Sequence, residues 1–136
     1  MNLKNNCVQK LQITRIVCSE NSSKITFINE NNLSIRKVKI DGCQITNGTR
    51  CDYLVIVESA EHYVELKGQD IQHAFNQIEN TIRSLHNNLR ETSKCCYVIS
   101  SRSPISSAEI QNKRLKFKRD FNSSLIVKNV SFEVTL

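Results

Sequence analysis

The stretch RCDYLVIVESAEHYVELKGQD, residues 50–70, sets two short β-forming runs on either side of a small polar break. The first, YLVIV at 53–57, is apolar at every position, which is the pattern of a strand covered on both faces. The second, HYVELK at 62–67, alternates. Tyr63, Glu65 and Lys67 share one face of it, and His62, Val64 and Leu66 share the other. Asp52 heads the first run, so charged groups gather where a covered sheet would hold none. The cluster reads either as a salt-bridged sheet surface or as a metal site.

Outward from this stretch, Gly68 ends the second run and Asp70 is placed to cap a helix. Ile71, Ala74, Phe75, Ile78, Ile82, Leu85 and Leu89 keep helical spacing, which predicts a helix over 71–89. CCYVIS at 95–100 reads as another buried strand, and SRSPISS as a loop around Pro104. A second helix is expected over about 107–121, with a narrow apolar stripe of Ile110, Phe117 and Phe121, and SLIVKNVSFEVTL ends the chain as one or two strands.

Upstream, KITFIN and LSIRKVKI flank the polar ENN and read as a hairpin over about 24–40, followed by the turn-rich DGCQITNGTR. VQKLQITRIV, near the start, fits a short helix or a strand. The expected order is β-β-β-β-α-β-α-β-β, with a strand–helix–strand crossover that implies a parallel pair. The fold class that follows is mixed α/β, a central mixed β-sheet flanked by helices.

The 136 residues suit a single domain, with ordinary apolar content at 39% and scarce glycine and proline. Nineteen Lys and Arg against thirteen Asp and Glu give a net charge of +6, which favours polyanionic partners. The first twenty residues carry no long apolar run, so neither a signal peptide nor a membrane anchor is expected, and the location expected is cytoplasmic. Six cysteines in such a chain are expected to be reduced. Cys7, Cys18, Cys43, Cys51, Cys95 and Cys96 contain no C-x-x-C unit, which argues against zinc.

Were the two central runs neighbouring strands, the carboxylates of Asp52 and Glu65 could converge to within about 5 Å, close enough for one cation to bridge them. Two acidic oxygens and a main-chain carbonyl, here that of Leu66, suit Mg²⁺ or Mn²⁺ beside a phosphate. Lys67 would then orient or help deprotonate the attacking water and stabilise charge building on the phosphate. Phosphodiester hydrolysis is the reaction such groups serve.

Asp52, then Glu65-Leu66-Lys67, then a helix carrying Gln77, resembles the PD-(D/E)xK nuclease superfamily over about residues 50–100. The resemblance implies a restriction-endonuclease-like fold, with Asp52 and Glu65 binding the metal, Lys67 assisting the nucleophile and Gln77 contributing from the helix. Cys51 stands where the name-giving proline would be, and Glu20, Glu30 and Asp41 are candidates for a further acidic residue. The implied activity is an Mg²⁺-dependent endonuclease acting on DNA, its specificity supplied by a homodimer, by substrate structure as in resolvases, or by a partner protein. The alternative is a non-catalytic module on the same fold that binds nucleic acid or protein.

The second helix carries Lys113, Lys116 and Arg119 on one side and Arg114 and Lys118 on the other. Such a helix could track a phosphate backbone, with Arg102 in the preceding loop adding a contact. A solvated basic face is the plain alternative. His62, His73 and His86 show no ligand spacing and are expected at surface or packing positions, and Glu58 and Glu61 in a solvated turn.

Overall fold

The computed structural model describes residues 1–67, 70–101 and 106–136, without the side chain of Lys67. Gly68, expected to end a strand, and Arg102 and Pro104, expected in a loop, lie outside the described residues. Nine strands and two helices run in the order β1 (Val8–Leu11), β2 (Arg15–Glu20), β3 (Ser23–Ile28), β4 (Ile35–Lys39), β5 (Tyr53–Val57), β6 (Ala60–Lys67), α1 (Ile71–Leu85), β7 (Lys94–Ser100), α2 (Ser107–Phe121), β8 (Ser123–Asn129) and β9 (Ser131–Thr135) among the described residues.

The fold is mixed α/β. A six-stranded sheet has the order β1-β4-β5-β6-β7-β8, and a three-stranded sheet has the order β2-β3-β9. Strands β1, β4, β5 and β6 pair antiparallel in turn, whereas β6, β7 and β8 are parallel. Each parallel step is bridged by a helix, because a parallel return needs a crossover.

Two clusters show how the layers stack. Leu54, Ile56, Tyr63, Cys96 and Val98 pack with α1 and with Phe117 and Phe121 of α2. Val55, Val57, Val64, Leu66, Tyr97 and Ile99, on the opposite face, pack with Ile16, Cys18, Ile25 and Phe27 of the small sheet. Both helices therefore cover one face of the large sheet, and the small sheet covers the other. This explains the all-apolar YLVIV, whose residues Leu54 to Val57 are buried on both faces.

The hairpin expected over 24–40 does not form. Strand β3 pairs with β2 and β9, while β4 pairs with β1 and β5 in the other sheet. The turn residue Asn29 decides this: its Nδ2 donates to the carbonyls of Ile13 and Leu33, and its Oδ1 accepts from the Leu33 N–H. That brace steers the chain from one layer to the next rather than back along the same sheet. VQKLQITRIV resolves into β1 and the start of β2, again in different sheets. At the other end the chain changes sheets at Val130, which takes a φ of 65° between β8 and β9.

Helix α1 starts where expected, with the Asp70 side chain accepting from the His73 N–H at 2.9 Å. It stops at Leu85 rather than Leu89, because His86 turns to extended backbone and its Nε2 meets Glu61 Oε1 at 2.7 Å. Leu89 still packs against the core from outside the helix. Helix α2 spans the expected residues and opens on a capping box between Ser106 and Glu109.

One expectation about a polar residue is corrected. Glu61 is not solvated: it lies inside β6 and binds Tyr63 Oη at 2.6 Å, His86 Nε2 and Thr92 Oγ1 at 3.0 Å. His62 and His86 take the packing alternative of their expected positions, since both are buried. Lys94, fully enclosed, donates its Nζ to the carbonyls of Leu89, Thr92 and Phe121 and so ties the end of α2 to the start of β7. A buried charge tolerates such a position only when its donors are satisfied.

The cysteines also depart from expectation. Cys7 and Cys43 form a disulfide, whereas Cys18, Cys51, Cys95 and Cys96 are free. The bridge pins the turn before β1 to the connection after β4, two segments brought together by β1–β4 pairing. No sequence spacing announces such a contact. Burial pushes the Cys18 and Cys96 thiols up to about 12, so neither supplies a thiolate. No described helix is long and apolar enough to cross a membrane.

Two outcomes are expected in stability measurements. Cys43→Ser removes a bridge across a sequence separation of 36 and should cost about 2–4 kcal/mol in urea unfolding, with β1 amides exchanging fastest. His62 stacks on Tyr97 and meets its Oη at 2.9 Å, and burial lowers its pKa from 6.5 to about 4. Below 6.5 the unfolded chain binds a proton that the native state refuses until about pH 4. The stability this group contributes is therefore complete above pH 6.5 and is lost, up to about 3 kcal/mol, on descending to pH 4. His62→Gln should flatten that part of the pH–stability curve.

Candidate metal centre

The antiparallel register of β5 and β6 ends where Tyr53 pairs with Val64, and Asp52 is the next residue beyond it. Residues directly opposed across an antiparallel pair put their side chains on the same face. Leu54 and Tyr63 are so opposed on the helix-covered face, and Glu65 follows Tyr63 on it. The Glu65 side chain is near enough to Asp52 to lower its pKa as a hydrogen-bonding neighbour.

Asp52 is braced further. Its N–H donates to the Val64 carbonyl at 3.1 Å, and its Oδ2 accepts from the Leu66 N–H at 2.8 Å. The N–H and C=O of a strand residue leave on the same edge, so the Leu66 carbonyl also departs toward Asp52. Glu65 is 1% exposed, in the middle of a three-layer stack. Burial raises the Asp52 pKa above its ordinary value, the Leu66 N–H pulls it down, and the nearby Glu20 and Asp41 carboxylates raise it further. Two of the three candidates for an additional acid are thus close enough to act on Asp52. Glu30 is not among the groups acting on Asp52.

Helix α1 docks on the head of β5 through two polar side chains. Gln77 Nε2 donates to the Arg50 carbonyl at 3.0 Å, and Thr81 Oγ1 accepts from the Cys51 N–H at 2.8 Å while donating to the Gln77 carbonyl. Gln77 Oε1 is enclosed and has no hydrogen-bond partner among the described residues. The segment carrying Asp52 is therefore clamped between β6 on one side and α1 on the other. Thr81 has no part in the sequence motif, although its place one turn beyond Gln77 on the same helix was a signal for it.

Lys67 is the last residue of β6, in register with Ser100 of β7. Its side chain lies outside the described residues. Of the expected site, Asp52 lies beside Glu65 and the Leu66 N–H, while Gln77 binds the Arg50 carbonyl. The expected ligand set is entirely oxygen, two carboxyls and a carbonyl, which fits a hard divalent cation that keeps several waters. Among the described residues no group of three or more His, Cys, Asp or Glu side chains forms a cage.

The basic helix is arranged differently from the sequence reading. Lys116 Nζ lies 3.0 Å from Glu79 Oε1 and Lys113 Nζ 4.0 Å from it, both turned toward α1. Arg114 Nε donates to the Leu125 carbonyl, and Arg119 pairs with Asp120 at 2.8 Å. Lys118 is exposed. Most of the helix's cations are spent on intramolecular contacts rather than held out as one face.

None of the protein-family models, curated proteins or solved structures compared with this chain matches it.

The raised Asp52 pKa has a direct consequence. Ionising the group costs the native state more than the unfolded one, so stability falls as pH rises above the ordinary 3.8. Asp52→Asn keeps an oxygen for the Leu66 N–H and an amide to donate to Glu65. It should melt above the wild type at pH 7.5, with the difference shrinking toward pH 4. Millimolar Mg²⁺ or Mn²⁺ should raise the melting temperature of the wild type and leave that of Asp52→Asn unchanged, as a calorimetric scan would show.

Proposed function

We propose that the chain is a divalent-metal-dependent nuclease that hydrolyses phosphodiester bonds in DNA, on a PD-(D/E)xK arrangement of Asp52, Glu65 and Lys67. The observation that carries this reading is the nearness of the half-buried Asp52 to the buried Glu65 at the Leu66 main chain. Two carboxyl groups so placed suit a cation of the right size at neutral pH.

Asp52, Glu65 and the Leu66 carbonyl would hold Mg²⁺ or Mn²⁺. When bound there, such an ion supplies Lewis acidity toward a phosphate oxygen and lowers the pKa of water. Asp52 is oriented by the Leu66 N–H and Glu65 by its place within β6, so neither carboxylate has to be immobilised at the moment of binding. Gln77 acts as a positioning residue, since it fixes the backbone one turn of chain ahead of Asp52. Lys67, two residues beyond Glu65, would carry positive charge toward the reacting phosphate.

The internal bracing of Asp52 also favours a second reading, a non-catalytic nucleic-acid-binding module in which the acid pair only locks two strands together. Incubation with linear, single-stranded and branched DNA and with RNA, in Mg²⁺ or Mn²⁺, separates the two. The nuclease reading expects metal-dependent cleavage that drops at least a hundredfold in Glu65→Ala and in Lys67→Ala while both variants stay folded. Cleavage that survives both substitutions, or none by the wild type on any substrate, would sink it.

A further inference from the structure

The cations that helix α2 withholds are matched by a set the fold does hold out. Strands β1 and β4 form one edge of the large sheet, and β4 reads Ile35, Arg36, Lys37, Val38, Lys39. In their antiparallel register Lys10 stands directly opposite Arg36. Both are exposed, and neither has an acidic partner among the described residues. Like charges directly opposed across a pair of strands destabilise the sheet. A fold that keeps such a pair on an edge strand, with no carboxylate in either strand, points to an anion from outside.

The geometry around the pair supports this. An open groove of about 810 Å³ runs along it, lined by Met1, Asn2, Asn5, Val8, Lys10 and Arg36. On the other face of the same strands a second groove of about 290 Å³ holds Lys37, Lys39 and Tyr53 with the amides of Asn6 and Gln9. Lys37 is engaged there, with its Nζ on the Val17 carbonyl at 2.7 Å and over the Tyr53 ring. Lys39 is exposed and pairs in register with Tyr53, the residue next to Asp52. Glu20 and Asp41 lie near this end, and neither forms an ion pair with Lys39. From Arg36 to Lys39 the edge spans about 10 Å, at roughly 3.3 Å per residue.

We propose that the β1–β4 edge is the nucleic-acid-binding surface, with Lys10, Arg36 and Lys39 contacting the phosphodiester backbone and leading it to the Asp52–Glu65 pair. The assignment rests on the nucleic-acid reading of that pair. A polyanion wrapping this side of the sheet is the occupant that answers exposed cations on both its faces, Lys10 and Arg36 on one and Lys39 on the other, and Lys39 pairs with the residue next to Asp52. The disulfide from Cys7 holds the start of β1 in this position.

Binding of fluorescein-labelled single-stranded and duplex DNA, followed by anisotropy in EDTA between 50 and 200 mM KCl, tests the surface without requiring catalysis. The triple variant K10Q/R36Q/K39Q should bind at least tenfold more weakly at 100 mM KCl, and its log K against log salt slope should be shallower by about 2–3, at roughly 0.7–0.9 per lost phosphate contact. K113Q/K116Q should keep the wild-type slope. K10Q and R36Q singly should melt no lower than the wild type, since each relieves a like-charge pair. Unchanged binding by the triple variant, an equal loss in K113Q/K116Q, or wild-type binding to anionic phosphatidylserine vesicles but not to DNA would overturn the proposal. Edge-dependent binding without Mg²⁺-dependent cleavage would uphold the surface and remove the nuclease reading. Cleavage without edge dependence would do the reverse.

Discussion

Strand β6 is covered on both faces, and that constraint organises the polar chemistry of the whole fold. Tyr63 and Glu65 meet the helix layer and Val64 and Leu66 the small sheet, so no residue in the middle of the strand reaches bulk water. A carboxylate placed there must find protons or donors inside the protein, because an isolated buried charge is too costly to keep. Glu61 and Glu65 meet that demand in opposite ways. Glu61 gathers Tyr63, His86 and Thr92 at one end of the strand, a network of internal partners. Glu65 meets a second acid, the least favourable partner available to it. Two neighbouring acids suit a cation between them, whereas the Glu61 network is closed by its own donors. This contrast separates the end of β6 that builds the fold from the end that is suited to chemistry.

The same three-layer stack explains which features were legible in the sequence. YLVIV and CCYVIS read as strands covered on both sides because their apolar runs are continuous, and the 3.6-residue spacing from Ile71 marked a helix. The alternation of HYVELK placed Glu65 on the face of Tyr63 and away from Val64, which is how the strand is built. From these, the crossover could be reasoned out, and so could the placing of Asp52 and Glu65 on neighbouring segments of the large sheet. Neither required knowing the second sheet.

What the sequence hid has one physical origin: contacts between segments far apart in the chain. Alternating strands such as β3 and β4 fit either sheet equally well, so a short polar turn between them suggested a hairpin, and only the bonds made by Asn29 direct them apart. Glu61 beside a turn looks solvated until His86 arrives from the end of α1. The Cys7–Cys43 bridge depends on β1 lying beside β4, a pairing that no local pattern reports. The lysines of α2 looked available because Glu79, their partner, sits on another helix.

That last point also bears on where polyanion contacts are to be sought. Charge counted along a helix overstates what the helix presents, since a lysine stem reaches far enough to find an acid on a neighbouring element. Strand β4 has no such neighbour: the elements flanking it, β1 and β5, carry no carboxylate within their described spans, and β1 adds Lys10. Exposed cations there stay unpaired for a topological reason, because the antiparallel meander fixes basic residues against basic residues. Strand order thereby gathers Lys10, Arg36 and Lys39 on one side of the large sheet, where Lys39 pairs with the residue next to Asp52.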